Sequence, residues 1–482
     1  MRKVAAWFRA HPLTSMGLAI IAFAVATHLF ANWRAEVRWQ NYCTTARARG
    51  VKLTLAEFAP PEIPYAENFA ALLMFKAIFL PGAKNPLALP DAPKGKPNFG
   101  APQKGEPFDW QKWQTYFKDA GFITETTDSP PRDVLRALEH YAPQFQEWSE
   151  WPARPRCRFP LDLKADFTMP LPHLSMFSSA AKLFSLRLRS HLALGDSSTA
   201  YEDFRDSLQA HRALAEEPTL IAALIQMSAL STLTSAVGDG LKNHAWAEPE
   251  LHKIETDLAA IHVLHDYRHG FSSERAFGNS FYDRLYALPP WQRGWEVSRI
   301  DVPSPLDRQA VAAVIPKRIY RDNQLRHNQY LDELIARVSE DETQFDPDRP
   351  IPSGPEEAEG FDQYYFFLCN RSVGVFSEVA KRFVHLDTQL DQAGLAIALE
   401  RWRLARGAYP ETLAELVPDF ISVVPVDVYS GQPMIYQRKD GGTFLLYGVG
   451  KNRTDDGGKI DPKRSENSQP DDVWLYAPPP AL

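Results

Sequence analysis

A chain of 482 residues is longer than one hydrophobic core usually grows, so two or more packed units are expected. With 44% hydrophobic, 12% aromatic and 23% charged residues it carries ample side chains to bury, which excludes a mainly disordered polypeptide. The net charge of -7 and the lack of any long basic block argue against a nucleic-acid partner.

The first predicted element is an apolar helix. Leu13 to Ala31 contains no Asp, Glu, Lys or Arg, and as a helix it reaches roughly 28 Å, nearly the hydrocarbon core of a bilayer. Trp7 and Phe8 before it, and Trp33 and Trp39 after it, suit the two membrane interfaces. Three readings stand side by side: an uncleaved transmembrane anchor, a signal peptide cleaved near Ala24-Val-Ala26, and a buried helix of a soluble body. The anchor reading leads, with residues 13-31 in the lipid bilayer. Arg2, Lys3 and Arg9 are answered by Arg34, Arg38, Arg47, Arg49 and Lys52, so charge alone does not fix orientation. A short tail before a large domain is nevertheless the layout of a signal anchor, which places the soluble part outside a cell inner membrane, in the periplasm.

Residues 32-165 read as a juxtamembrane, loop-rich segment. Glu67 to Phe75 is an apolar run that docks as a short helix. Pro81 to Pro107 has loop composition, and short helices are predicted over Asp109–Ala120 and Arg132–Trp148. Residues 166-340 read as an irregular helical array. Ala181, Phe184, Leu188 and Leu192 recur at helical spacing until Gly195-Asp196, where Ser197 or Ser198 caps the next helix. Helices over Tyr201–Ala215, Leu220–Leu241 and from Ala247-Glu-Pro249 onward follow. The antiparallel hairpins have the manner of tetratricopeptide arrays without their repeat signature. Pro289 to Pro305 reads as an aromatic loop, Leu306 to Ser339 as a helix interrupted or kinked near Pro316, and Glu340 to Gly360 as a solvated connector.

Residues 361-482 form the last unit. A long helix from Val373 to Arg406 carries Val379, Phe383, Leu386, Leu390, Ile397 and Leu404 on one predicted buried stripe, and Gly407 ends it. Pro410 opens a short helix over Glu411–Leu416. Pro433–Arg438 and Thr443–Val449 flank Lys439-Asp-Gly-Gly442, a hairpin signal, and Asp472-Val-Trp-Leu-Tyr476 supplies a third strand. The expected fold is therefore mostly α, with a small α+β C-terminal module of one long helix on a three-stranded antiparallel sheet.

Arg406, Gly407, Tyr409, Pro410, Gly431, Pro433, Tyr447, Gly450, Gly457 and Gly458 together make this module resemble the C-terminal region of type II secretion major pseudopilins. In that family the acidic loop binds calcium. The resemblance places the ion at Asn452 and Asp471 or Asp472, with Asp455 and Asp456 as extra oxygen donors of this chain. Two features depart from the family: no prepilin-peptidase motif is present, and the anchor lies far upstream of the long helix, so assembly into a rod is not implied. The whole layout is also similar to a group of uncharacterised bacterial proteins with an anchor, a helical middle and this terminal module.

Candidate chemistry is sparse. The acidic loop, with Asp461 added to the five residues above, offers several of the six to eight oxygens that calcium prefers, yet Lys463 stands where an EF-hand needs its glutamate. A solvated acidic turn is the competing reading. His262, His265 and His269 have helical spacing for a shared zinc but no HExxH, and helix-surface histidines are the plainer account. Glu274-Arg275, facing Asp266 or Arg268, makes either a buried ion-pair network or a surface pair. No GxSxG elbow, SxxK pair or phosphate-cradling loop occurs. Cys43, Cys157 and Cys369 form no CxxC, and one disulfide remains open to them. The function expected is a membrane-anchored, non-catalytic binding or scaffold protein of the bacterial envelope with an envelope-protein partner. The alternatives are an exported hydrolase-type enzyme with its site in the helical domain, and an accessory of a secretion system.

Overall fold

A computed structural model describes residues 11–91, 97, 108–163, 169–299, 315–349, 362, 365–439, 442–450 and 452–458. Helix α1 (Pro12–Ala48) opens with proline in its first turn, where the missing amide costs nothing. At about 1.5 Å per residue it is a rod of roughly 55 Å. Its apolar half stands clear of the body: Leu13, Ile20, Ile21, Phe23, Leu29 and Phe30 are all exposed and none of that window is buried. The reading as a buried helix of the soluble body is therefore corrected.

The helix does not stop at Ala31. Ala35, Trp39, Cys43 and Ala46 form a buried stripe at helical spacing, so its second half packs on the body, where residues 32-48 were expected to begin a loop-rich segment. Three 3-10 turns and α2 (Leu73–Ile78) lead into α3 (Trp110–Asp119), α4 (Pro130–Leu138) and α5 (Ala142–Trp148). With α6 (Leu174–Ala193) they enclose an aromatic core of Phe69, Phe75, Trp148, Phe177 and Phe184.

The array continues through α7 (Ser197–Arg212), α8 (Leu220–Lys242), α9 (Glu248–Ala259), α10 (Val263–Ala287), α11 (Pro290–Arg299) and α12 (Lys317–Ile335). Gly195, at φ 81°, ends α6 in the left-handed conformation that glycine adopts without cost. Asp196 caps α7 by accepting the Thr199 amide at 3.0 Å, a role expected of Ser197 or Ser198. Helix α8 is long and apolar but mostly buried, so it is a core helix. One further expectation changes: the aromatic segment after Pro289 is helical, because Pro290 falls in the first turn. Pro316 stands at the cap of α12, which fits an interruption there rather than a kink. Residues 306–314 lie outside the described residues.

Helix α13 (Phe367–Arg406) spans about 60 Å and serves two cores. Phe376, Val379, Phe383, Leu386 and Ile397 enter the array, whereas Leu395 and Leu399 turn towards Tyr409, Leu413, Leu416, Met434 and Leu446. Leu404, expected on the buried stripe, is exposed because the last turns run beyond the array. Gly407, at φ 83°, donates to the Arg403 carbonyl at 2.8 Å and closes the helix. Tyr409 Oη then donates to buried Glu400 at 2.9 Å, and Tyr436 Oη to the Pro410 carbonyl at 2.8 Å. Strands β1 (Ile435–Lys439) and β2 (Thr443–Tyr447) pair antiparallel, Ile435 opposite Tyr447 and Lys439 opposite Thr443. This two-stranded hairpin is the sheet among the described residues; the expected third strand at 472–476 lies outside them.

Candidate functional site

The C-terminal end of α1, the first half of α10 and the last turn of α12 converge on a cleft of about 720 Å³. Its floor is Arg275, only 2% exposed, whose Nη2 lies 2.9 Å from Asp332 Oδ1. The other oxygen of Asp332 accepts from Tyr42 Oη at 3.0 Å and Arg49 Nη2 at 3.4 Å. Burial, and the carboxylate that takes its proton donor, push the Tyr42 hydroxyl well above its ordinary range. One carboxylate thus ties α1 to both α10 and α12.

The rim is built by the turn after α12. Ser339 and Gln344 close it with a backbone hydrogen bond of 2.9 Å, which holds Glu342 at φ 60°, a conformation that is costly for a side chain with a Cβ. That strain places the Glu342 carboxylate 2.7 Å from His265 Nδ1 and 3.6 Å from Arg268 Nε. Arg349 pairs with Glu333 at 3.3 Å, and Lys52 sits over the Phe58 ring. Most cationic side chains of the cleft are therefore matched by its own carboxylates.

Of the three sequence-predicted histidines, His265 and His269 stack with ring centroids 6.3 Å apart and both line the cleft, which His262 does not. His262 stands at the exposed start of α10. His265 faces Glu342, and His269 packs edge-on against Phe58 at 5.8 Å. Burial and the neighbouring His265 hold the His269 imidazole below its usual pKa. Among the described residues no group of three or more His, Cys, Asp or Glu is placed to hold a metal ion. Arg275 pairs with Asp332 rather than with Asp266 or Arg268; Asp266 is engaged by His211 at 2.9 Å. Glu274 is a separate feature, its carboxyl pushed up to about 7 by burial. Two cleft-wall atoms stay buried without a hydrogen-bond partner, Arg275 Nε and His269 Nε2.

Below the cleft, a polar seam joins the second half of α1 to the body. Arg321 Nε donates to Glu36 at 2.8 Å, its Nη1 reaches Asp283 and Gln324, and its guanidinium lies 4.0 Å over the Tyr286 ring. Arg38 pairs with Asp322 at 2.6 Å, and Asp322 also accepts from Tyr365 Oη. Buried Asn279 and Asn328 exchange hydrogen bonds, and Asn279 also holds the Leu53 carbonyl at 3.2 Å. The seam is not legible in the sequence because the residues of α1 and their partners on α12 are separated by more than 280 residues along the chain.

At the opposite end of the chain, the acidic loop satisfies itself. Asp455 accepts from Tyr447 Oη at 2.7 Å and the Gly457 amide at 2.8 Å, which hold its carboxyl below the usual range. Asp456 accepts from Asn452 Nδ2 at 2.8 Å, and Arg453 pairs with Asp348. Asp471 and Asp472 of the expected calcium set, and Asp461 beside them, lie outside the described residues. Cys43, Cys157 and Cys369 are all free thiols.

Comparison of the chain with protein-family models, with curated proteins and with solved structures finds no match.

Proposed function

We propose that the protein is a single-pass inner-membrane protein whose soluble body lies in the periplasm and acts as a non-catalytic binding or scaffold protein of the bacterial envelope. One observation carries the reading: an exposed apolar rod that continues without a break into a stripe docked on the body. A cleavable leader needs no such docking, whereas an anchor that orients its domain does. The helix and hairpin following Gly407 support a pseudopilin-like module held away from the membrane for an envelope-protein partner. Val417, Val423 and Val426, exposed on that module, offer apolar contacts to it. Carbonate-washed membranes and protease treatment of spheroplasts test the proposal. Full-length protein should pellet with the membrane and be digested from the periplasmic side. Recovery in the soluble cytosolic fraction would defeat it.

A hydrolase-type enzyme is the second reading, favoured by the unpartnered Arg275 Nε and His269 Nε2 beside the cleft. Turnover of simple ester or phosphoester substrates that disappears in His265→Ala would replace the scaffold reading with this one.

A further inference from the structure

The same rod that anchors the body also sets which face of it meets the lipid. Helix α1 leaves its apolar stretch at Asn32 and Trp33, and Asn32 Oδ1 accepts the Arg318 backbone amide at 3.1 Å, at the start of α12. Close by in the chain, the Ile315 carbonyl takes the Arg293 guanidinium at 3.4 Å. Arg293 also lies over the Tyr320 ring, so α11 is held at the level where α1 exits its apolar half. Helix α11 is two-faced. Arg293 and Val297 are buried against Phe281, Tyr282, Leu285 and Tyr320, whereas Trp291 and Trp295, one turn apart, are 71% and 59% exposed. Trp33 on α1 is 61% exposed at the same end of the molecule. Arg34 and Lys317, both exposed, add cationic charge around these rings.

Tryptophan is an unfavourable side chain to leave in water and a favoured one at the bilayer interface, where its ring lies among acyl chains and its N–H meets headgroups. We infer that α11 is an interfacial helix, with Trp291 and Trp295 inserted into the headgroup region of the membrane that α1 crosses. This rests on the anchor reading above and extends it: the body touches the bilayer at two points, the span and α11, and so has a fixed tilt instead of swinging on a tether. Anionic headgroups are the matching lipid chemistry, given Arg34 and Lys317.

The test uses full-length protein labelled with 5-fluorotryptophan in nanodiscs of phosphatidylethanolamine and phosphatidylglycerol. Trp33→Phe, Trp291→Phe and Trp295→Phe assign the three fluorine resonances among the 12 tryptophans. With Trp148→Phe assigning the buried reference in the same way, lipid carrying a spin label near the headgroup should broaden all three severalfold more than the resonance of Trp148. If Trp33 is broadened while Trp291 and Trp295 respond only to a water-soluble paramagnetic agent, the interfacial helix is refuted and the anchor stands. If the protein separates from the nanodisc altogether, both fall.

Discussion

Glycine to alanine at two helix positions should change stability in opposite directions. Gly240 lies in the last turn of α8, where alanine is worth about 1 kcal/mol over glycine through backbone entropy. A Cβ there, however, would stand 2.6 Å from Leu192 Cδ1 and 2.8 Å from Trp246 Cδ1, and closer still to Trp246 Nε1. Trp246 is buried and donates to the Val237 carbonyl at 3.1 Å, so the ring cannot withdraw without giving up that bond, at about 1 kcal/mol. Overpacking strain adds about 1–3 kcal/mol, and the sum outweighs the entropy gain. Gly240→Ala should therefore destabilise by about 1–3 kcal/mol. Gly394 in α13 meets nothing within 4 Å, and Gly394→Ala should stabilise by about 0.5–1 kcal/mol. A chain of this length shifts its melting midpoint by only about 1 °C per kcal/mol, so urea midpoints followed by helical circular dichroism in mild detergent are the better measure. Trp246→Leu in the Gly240→Ala background should recover part of the loss through a non-additive coupling. A Gly240→Ala midpoint at or above that of the parent protein, or shifts of the same sign at both positions, would refute this packing argument.

Removing the guanidinium in Arg321→Met should cost about 2–3 kcal/mol, less than a fully buried pair because Glu36 and Asp283 can be rehydrated, and should raise proteolytic cutting near residue 49; wild-type urea and trypsin profiles would contradict the seam. Burial pushes Asp391 up to about 7 and Asp387 up to about 6, the Asp387 charge adding to the effect on Asp391. The folded protein then binds more protons than the unfolded chain between about pH 4 and 7, so this contribution to stability is lost as pH rises through that window. Asp391→Asn should accordingly gain on the order of 1–2 kcal/mol relative to wild type between pH 5 and pH 8, after allowance for its partial solvent contact, and a pH-independent difference would overturn the assignment. If the acidic loop holds calcium through Asn452, Asp455, Asp456, Asp471 and Asp472, millimolar ion should raise the melting midpoint over that with chelator; coincident curves would rule the ion out.

The helical architecture was legible wherever one residue type does one job locally. Gly195 and Gly407 end their helices with φ near 80°, as glycine permits, and the apolar spacing on α8 and α13 placed both helices within a few residues of where they form. Proline was read less well. Pro290 lies in a segment whose prolines and aromatics read as a loop, yet a proline in the first turn is a start signal, so α11 is hidden by the residue that begins it. Helix α1 shows the same limit in another form. The run without charges gives too short a helix, because the charges that end the run, Glu36 and Arg38, are answered by Arg321 and Asp322, and no local pattern reveals a partner so distant in sequence.

The cleft was illegible for that reason too, since Arg49, Arg275 and Asp332 are unremarkable singly and meaningful only when α1, α10 and α12 come together. Evolution has ready means of tethering a soluble domain to a bilayer with a flexible linker, and a linker asks nothing of the body's surface. Here the second half of α1 is instead fixed by Asn32, Glu36, Arg38, Tyr42 and Arg49 to one helix, α12, over several turns. Each exposed pair is worth little, but their spacing over about 25 Å resists tilting far more effectively than one strong contact would. If α1 crosses a membrane as proposed, such a seam sets the direction in which the body and its C-terminal module face, which a flexible linker would leave free.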